Sequence, residues 1–311
     1  MFFGFYIQNS VSAVLVKMRR RKIKTFIVKK VGVFMSIKAI LLDMDGTLLL
    51  PDQINISQRC MDVLDRAAKA GINIIPCTGR VLDMYPPQLL KYEPMRYRLT
   101  CHGARVVDMK TGETIYKKLV SPEDSAKVFK IFEGRQIYGE IAAEGTIYLE
   151  KEIADDLPNY PVPAHHIWYT DAGIPKAVES LSEHFAENGI EMEKVNLYGI
   201  KEEDRQPIYD ALENLGATEF TRPGAVKDIE FLPKGIDKIE ALHSIFERIN
   251  VDFSEVLAIG DSSSDERIIE ESAVGVAMGN APDWLKAKAD YVTDTNAADG
   301  VASAIEKFCK L

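Results

Sequence analysis

Asp43 and Asp45 stand two residues apart in the run Asp43-Met44-Asp45-Gly46-Thr47, directly after the apolar stretch IKAILL. In extended chain, residues two apart share a face. Two carboxylates about 4 Å apart repel by about 4 kcal/mol at an effective dielectric near 20. Asp261, in the run GDSSSD at 260–265, follows another apolar stretch and adds a third acid. Such a group is tolerable with a bound cation or with raised carboxyl pKa values. Hard oxygen donors with no His or Cys beside them favour Mg²⁺. Gly46 lets the backbone turn sharply behind the acids. Taken alone, one Asp-x-Asp-Gly run is equally a solvated turn with helix-capping acids. A further polar edge, Thr78-Gly79-Arg80, follows the apolar run INIIP and Cys77.

These edges need a common scaffold. IKAILL (37–42), INIIP (72–76), VLAIG (256–260), AVGVAM (273–278) and DYVT (290–293) read as strands. Ser57 caps a helix with apolar positions at Cys60, Val63, Leu64, Ala67 and Ala68, which Gly71 stops. Pro282 opens another over 282–288. Continuous apolar strands between helices indicate a parallel sheet covered on both faces. Ligands of such sheets bind beyond the carboxyl ends of the strands, where the polar edges fall. The middle of the chain differs. It gives helices over 122–133, 175–187 and 204–215, a Pro-rich loop at 157–163 and a strand over 193–200. A hairpin spans 137–151, with Glu144-Gly145 as its turn. The expected fold class is α/β: a Rossmann-like parallel-sheet core over 36–116 and 227–311, with an inserted α+β cap domain over 117–226.

DMDGTLL at 43–49, CTGR at 77–80, Lys238 and GDSSSD at 260–265 follow one another in order after strand-like runs. Over residues 37–311 this pattern resembles the haloacid dehalogenase superfamily of phosphohydrolases. Spacing places the cap. Thr47 to Thr78 leaves 30 intervening residues, room for one helix and one strand. Arg80 to Lys238 leaves 157, room for a cap of about 110 residues. The resemblance is therefore to the Cof-type sugar-phosphate phosphatases, with a large cap between the second and third motifs.

That resemblance implies a role for each matched residue. Asp43 would attack phosphorus and form an aspartyl-phosphate. Asp45 would protonate the leaving alcohol and then deprotonate water. Asp43, the backbone carbonyl of Asp45, and Asp261 would hold Mg²⁺. The Thr78 hydroxyl and the Gly79 amide would hold phosphoryl oxygens. Lys238 would neutralise charge on the phosphoryl group and the nucleophile. Asp265 would orient Lys238 or a metal-bound water, and Asn280 would lie beside the phosphate. The family's Pro-x-Gly-x-x segment aligns with Pro233–Asp237 and selects Lys238 over Lys234. Ser264 stands where Asn is frequent, Ile239 where Gly is frequent, and Cys101-His102-Gly103-Ala104 where an Asn-Gly-Ala segment is common. His102 is expected at a strand end, with contact to phosphate or substrate as the alternative. His165, His166, Trp168 and Tyr169 are expected to pack within the cap, with substrate recognition as the alternative. Cys77 is expected to be packing. Arg80 is left between reaching substrate and forming a core ion pair.

Composition narrows the partners. The 311 residues carry 38 basic and 47 acidic side chains, a net charge of −9, which disfavours a nucleic-acid surface. No apolar stretch reaches the ~18 residues of a membrane span. Four cysteines (Cys60, Cys77, Cys101, Cys309) show no metal-ligand spacing, which fits a reducing, cytoplasmic setting. Residues 1–35 are assigned to a basic N-terminal extension, disordered or not native. The 34 residues before Met35 hold eight basic side chains and no acid. The expected protein is a Mg²⁺-dependent phosphatase of small phosphorylated metabolites, a monomer or homodimer. A dehalogenase would attack carbon and would not need Asp45. A phosphomutase of the phosphomannomutase type and a non-catalytic sugar-phosphate sensor are the alternatives.

Overall fold

The computed structural model describes residues 36–215, 218–221 and 229–311; the basic extension lies outside them. The core opens with β1 (Ala39–Leu42), α1 (Gln58–Lys69) and β2 (Asn73–Pro76), then an antiparallel meander of β3 (Tyr97–Thr100), β4 (Arg105–Asp108) and β5 (Glu113–Lys117). Next come α2 (Pro122–Phe132), β6 (Tyr138–Ala143), β7 (Thr146–Glu150), β8 (Lys176–Val178) and α3 (Leu181–Asn188). They are followed by β9 (Met192–Tyr198), α4 (Glu202–Leu215), β10 (Thr218–Thr221) and β11 (Ile229–Pro233). The chain ends in α5 (Lys238–Ile249), β12 (Val256–Gly260), β13 (Val274–Ala277), β14 (Tyr291–Val292) and α6 (Gly300–Cys309).

Five strands form an all-parallel sheet in the order β14-β13-β12-β1-β2. Its central strands, AILL and VLAIG, are buried throughout because helices cover both faces. The Ser57 hydroxyl accepts from Cys60 N at 3.1 Å and so starts α1. Cys60, Val63, Leu64 and Ala67 then form its buried stripe. Helix α5 drives Ile239, Leu242, Ile245 and Phe246 against Leu41, Ile75 and Ala258. Each such side chain contributes roughly 1.5–3 kcal/mol by leaving water. The meander extends this layer through a bridge from Cys77 to Leu99.

The cap is a six-stranded mixed sheet in the order β10-β11-β9-β6-β7-β8. Helices α2, α3 and α4 cover one face with Val128, Phe129, Phe185 and Leu212 over Ile141, Val195 and Leu197. Glu144 and Gly145 both take positive φ, 53° and 80°, as a two-residue hairpin turn of the primed type requires.

Two expectations change. Residues 175–187 are not one helix: Lys176–Val178 pairs in parallel with β7, and the Ser180 hydroxyl, accepting from Glu183 N at 3.3 Å, starts the helix only afterwards. Residues from 227 onward are expected in the core, yet Ile229–Pro233 pairs with β9 of the cap. Ile229 and Phe231 alternate into the cap's apolar core, and that burial keeps the strand there.

Candidate active site

The chain leaves β1 into Asp43, whose amide donates to Ile259 O of β12 at 3.2 Å. Met44–Leu48 then coils, and Gly46 takes φ +76°. A Cβ at Gly46 would overlap the Asp261 carboxylate, so no other residue fits this turn. Thr47 Oγ1 donates to Asp261 Oδ1 at 3.2 Å. The two acid-bearing edges are thus tied to each other.

Carboxylate oxygens of Asp43, Asp261 and Asp265 lie within 4.8 Å of one another. Asp265, fully buried, spends its oxygens on the protein. Oδ2 accepts from the amides of Asp261 (3.2 Å) and Ser262 (3.1 Å) and from Ser262 Oγ (3.1 Å). Oδ1 accepts from Lys238 Nζ at 2.9 Å. Asp43 and Asp261 are therefore the two acids of this trio with oxygens left to offer a cation. Burial pushes the Asp43 carboxyl well above the usual range, and Asp265 and Asp261 add to it against Lys238. Burial first, then Asp265, pushes Asp261 up to about 7. A buried and a half-buried acid that resist losing their protons, with only oxygen donors around them, fit a hard divalent cation such as Mg²⁺.

Lys238 is the first residue of α5, started by Asp237, whose Oδ1 accepts from Ile239 N at 2.9 Å. Its ammonium donates to Asp265 Oδ1, to Cys77 O at 2.9 Å and to Ser264 Oγ at 3.1 Å. Burial opposes its charge, but Asp265 and Asp43 outweigh that and raise its pKa. Lys234 is exposed. Ser264, at the Asn-rich family position, thus supports the lysine.

The Asp45 carboxylate adds to the raising of the Asp43 carboxyl, as the last of its causes, but turns to Arg80. The coil after Asp43 breaks the extended run, and Arg80 takes the Asp45 side chain in a fork, Nε to Oδ2 at 2.9 Å and Nη2 to Oδ1 at 2.6 Å. Met84 O and Gln53 O hold the same guanidinium. Thr78 is buried, and its hydroxyl oxygen accepts from Arg80 N at 3.1 Å. Gly79 is needed because a Cβ there would lie 2.5 Å from His102 Nε2. His102 itself sits in left-handed backbone, φ +57°, and its Nε2 lies 3.3 Å from Glu230 Oε1 of the cap. Burial lowers its pKa against the pull of Glu230. Asn280 is exposed and props the acid loop: Nδ2 donates to Gly46 O at 2.7 Å, and Oδ1 accepts from Asn296 N.

A cavity of about 300 Å³ lies between these loops and the cap. Asp43, Asp45, Gly79 and Arg80 line one side; Ile147, His166, Lys194 and Asn196 line the other. Trp168 and Tyr169 pack in the cap's lower apolar cluster, but His166 reaches the cavity wall. The side chain of His165 lies outside the described set. Lys194 and Asn196 carried no motif. Their signal was the alternation in MEKVNLY, which puts Lys194 and Asn196 on the face opposite Val195 and Leu197.

An acid-and-lysine edge of a parallel sheet, facing a cavity under a second sheet, defines a capped α/β hydrolase. A family profile described as haloacid dehalogenase-like hydrolase matches residues 40–305. The chain belongs to that family, in its Cof-type branch, and is a phosphatase. It is 28% identical over 274 residues to the 5-amino-6-(5-phospho-D-ribitylamino)uracil phosphatase of Bacillus subtilis, covering 88% of this chain and 96% of that one. It is 25% identical over 286 residues to a second Bacillus subtilis phosphatase, YwpJ, covering 85% and 97%. A solved haloacid dehalogenase-like hydrolase from Bacteroides thetaiotaomicron superposes with a TM-score of 0.74 at 25% identity, covering 88% and 99%.

Proposed function

We propose that this phosphatase hydrolyses small phosphorylated metabolites, sugar phosphates foremost, through an aspartyl-phosphate on Asp43 with Mg²⁺ as cofactor. The observation that carries the reading is the meeting of Asp43, Asp261, Asp265 and Lys238 at one sheet edge, with Asp43 lining the capped cavity. A phosphorylated ribityl chain in the name of the Bacillus subtilis relative supports the substrate class.

In this mechanism Asp43 attacks phosphorus, and the bond to the leaving oxygen breaks. Asp45 gives that oxygen a proton and later takes one from the attacking water. Arg80 keeps the Asp45 carboxyl at a fixed orientation between the two half-reactions. The Thr78 hydroxyl, whose proton is still free to donate, and the Gly79 amide hold phosphoryl oxygens. Lys238, fixed by three acceptors, faces the charge on Asp43. Asp43, the Asp45 carbonyl and Asp261 would hold Mg²⁺, which when bound supplies positive charge between carboxylate and phosphate. The cap wall keeps bulk water from the first step.

The test is phosphate release from a panel of phosphorylated sugars, nucleotides and cofactors, with Mg²⁺ or EDTA, for wild type and Asp43→Asn. The expected result is Mg²⁺-dependent release from wild type and loss of nearly all turnover in the variant. Release that survives in Asp43→Asn would overturn the covalent route. Tight binding of sugar phosphates by wild type without release would favour the sensor.

A further inference from the structure

The underside of the cap sheet is unusual for a buried surface. Glu140, Lys194, Asn196 and Glu230 are all buried there. Strand pairing sets Glu140 directly opposite Asn196, with Lys194 two residues away on the same strand and face. Buried polar groups of this kind are retained only when partners satisfy them. Most here are satisfied within the wall. Glu140 receives His166 Nδ1 at 2.6 Å, the Tyr169 hydroxyl, and Tyr198 OH at 3.3 Å. Lys194 Nζ donates to Glu230 Oε1 at 3.0 Å.

Asn196 breaks the pattern. Only 4% of it is exposed, yet its Oδ1 has no hydrogen-bond partner. Glu140 fixes which end is which, because Nδ2 must face the Glu140 carboxylate, 3.4 Å away. The buried amide oxygen is left as an unmade acceptor on a residue that lines the cavity of Asp43 and Asp45. A buried acceptor left unmade costs roughly 1–3 kcal/mol, so a ligand that donates to it regains that energy. Lys194 lines the same wall, and an ammonium has three protons, of which Glu230 takes one. One wall therefore offers an acceptor and a donor about 7 Å apart along the strand.

We propose that Asn196 and Lys194 form a subsite that reads the hydroxyls of an uncharged leaving group. A hydroxyl both donates and accepts, so one polyol satisfies Asn196 Oδ1 and the spare protons of Lys194 together. A second phosphate or a carboxylate can accept from Lys194, but it cannot donate to Asn196. Arg80 and Lys194, which line the cavity, already face carboxylates, those of Asp45 and Glu230. A second anion would meet Glu140 and Glu230 with no unmatched cation among these residues. The inference rests on the phosphatase mechanism above and deepens it by naming what the leaving group must carry.

The test compares kcat/KM for sorbitol 6-phosphate, hexyl phosphate, fructose 1,6-bisphosphate and p-nitrophenyl phosphate, with Mg²⁺, in wild type and Asn196→Ala. Wild type is expected to prefer sorbitol 6-phosphate over hexyl phosphate and over the bisphosphate by about tenfold or more. Asn196→Ala is expected to shrink the sorbitol-to-hexyl ratio by about fivefold or more. Hexyl phosphate turned over as well as sorbitol 6-phosphate by wild type overturns the subsite and needs no variant to show it. A preferred bisphosphate, or a ratio that Asn196→Ala leaves unmoved, overturns it as well. Release from p-nitrophenyl phosphate in those cases leaves the catalytic mechanism standing. No release from any of the four overturns both.

Discussion

Asp261 sits under two opposed demands. The proposed Mg²⁺ site needs its carboxylate, whereas the fold without a cation resists that charge. Its pKa in the folded chain, about 7, lies far above the ordinary aspartate value. Between those two values the folded state binds more protons than the unfolded state, so stability falls as pH rises through that window. Asp43, also raised, acts in the same direction. In EDTA the protein should therefore melt at a higher temperature at pH 5.5 than at pH 8. Asp261→Asn removes one of the charges and should raise the EDTA melting temperature at pH 8 while flattening the pH dependence. It should also cut Mg²⁺-dependent phosphate release by about a hundredfold or more, since a ligand is lost. A variant that melts lower than wild type in EDTA at pH 8 would refute the electrostatic account. The acids were legible in the sequence because their runs follow apolar strands, and Lys238 only through the family's Pro-x-Gly-x-x segment at Pro233–Asp237. The Arg80–Asp45 fork was not, because a pairing across 35 residues depends on how the coil after Asp43 turns.

At the scale of elements, the strands of the parallel sheet were legible because both their faces are buried and their apolar runs are unbroken. The meander of β3, β4 and β5 left no such mark. Arg98 in β3 is buried only because its guanidinium donates to carbonyls at Leu89 and Leu90, which composition cannot show. The start of α5 sets Lys238, which the proposed mechanism places against the charge on Asp43. Asp237 Oδ1 caps that helix through Ile239 N, and Arg267 pairs with the same carboxylate. Asp237→Ala should cost about 1 kcal/mol of stability, read as a lower denaturation midpoint. It should also lower kcat more than it raises KM, because the proposed mechanism has Lys238 act on the reacting group rather than in substrate capture. An unchanged kcat in a destabilised variant would confine Asp237 to a capping role.

The whole molecule works only if the cap both seats and lifts. Polar contacts seat it on the core in this structure. Arg105 Nε of β4 lies 3.1 Å from Glu193 Oε1 of β9, His102 faces Glu230, and Asp83 N donates to Gly145 O at 2.9 Å. Glu193, fully buried, is the densest of these joints. It also accepts from Gly145 N at 2.9 Å and from the Cys101 thiol. Substrate entry and product release require such joints to part, and a buried ion pair that loses one charge is strongly weakened. Glu193→Gln keeps the shape and the acceptor for Gly145 but removes the charge opposite Arg105. The open state should gain population, and exchange of the Asp83 amide, which donates to Gly145 O across the joint, should quicken about tenfold in deuterated solvent. KM should rise with it, because the substrate then also has to supply the energy of closure. Exchange at Asp83 as slow as in wild type would mean that the cap is held by its apolar cluster instead, where Val81, Met84 and Cys101 of the core meet Tyr138, Ile147 and Tyr198 of the cap.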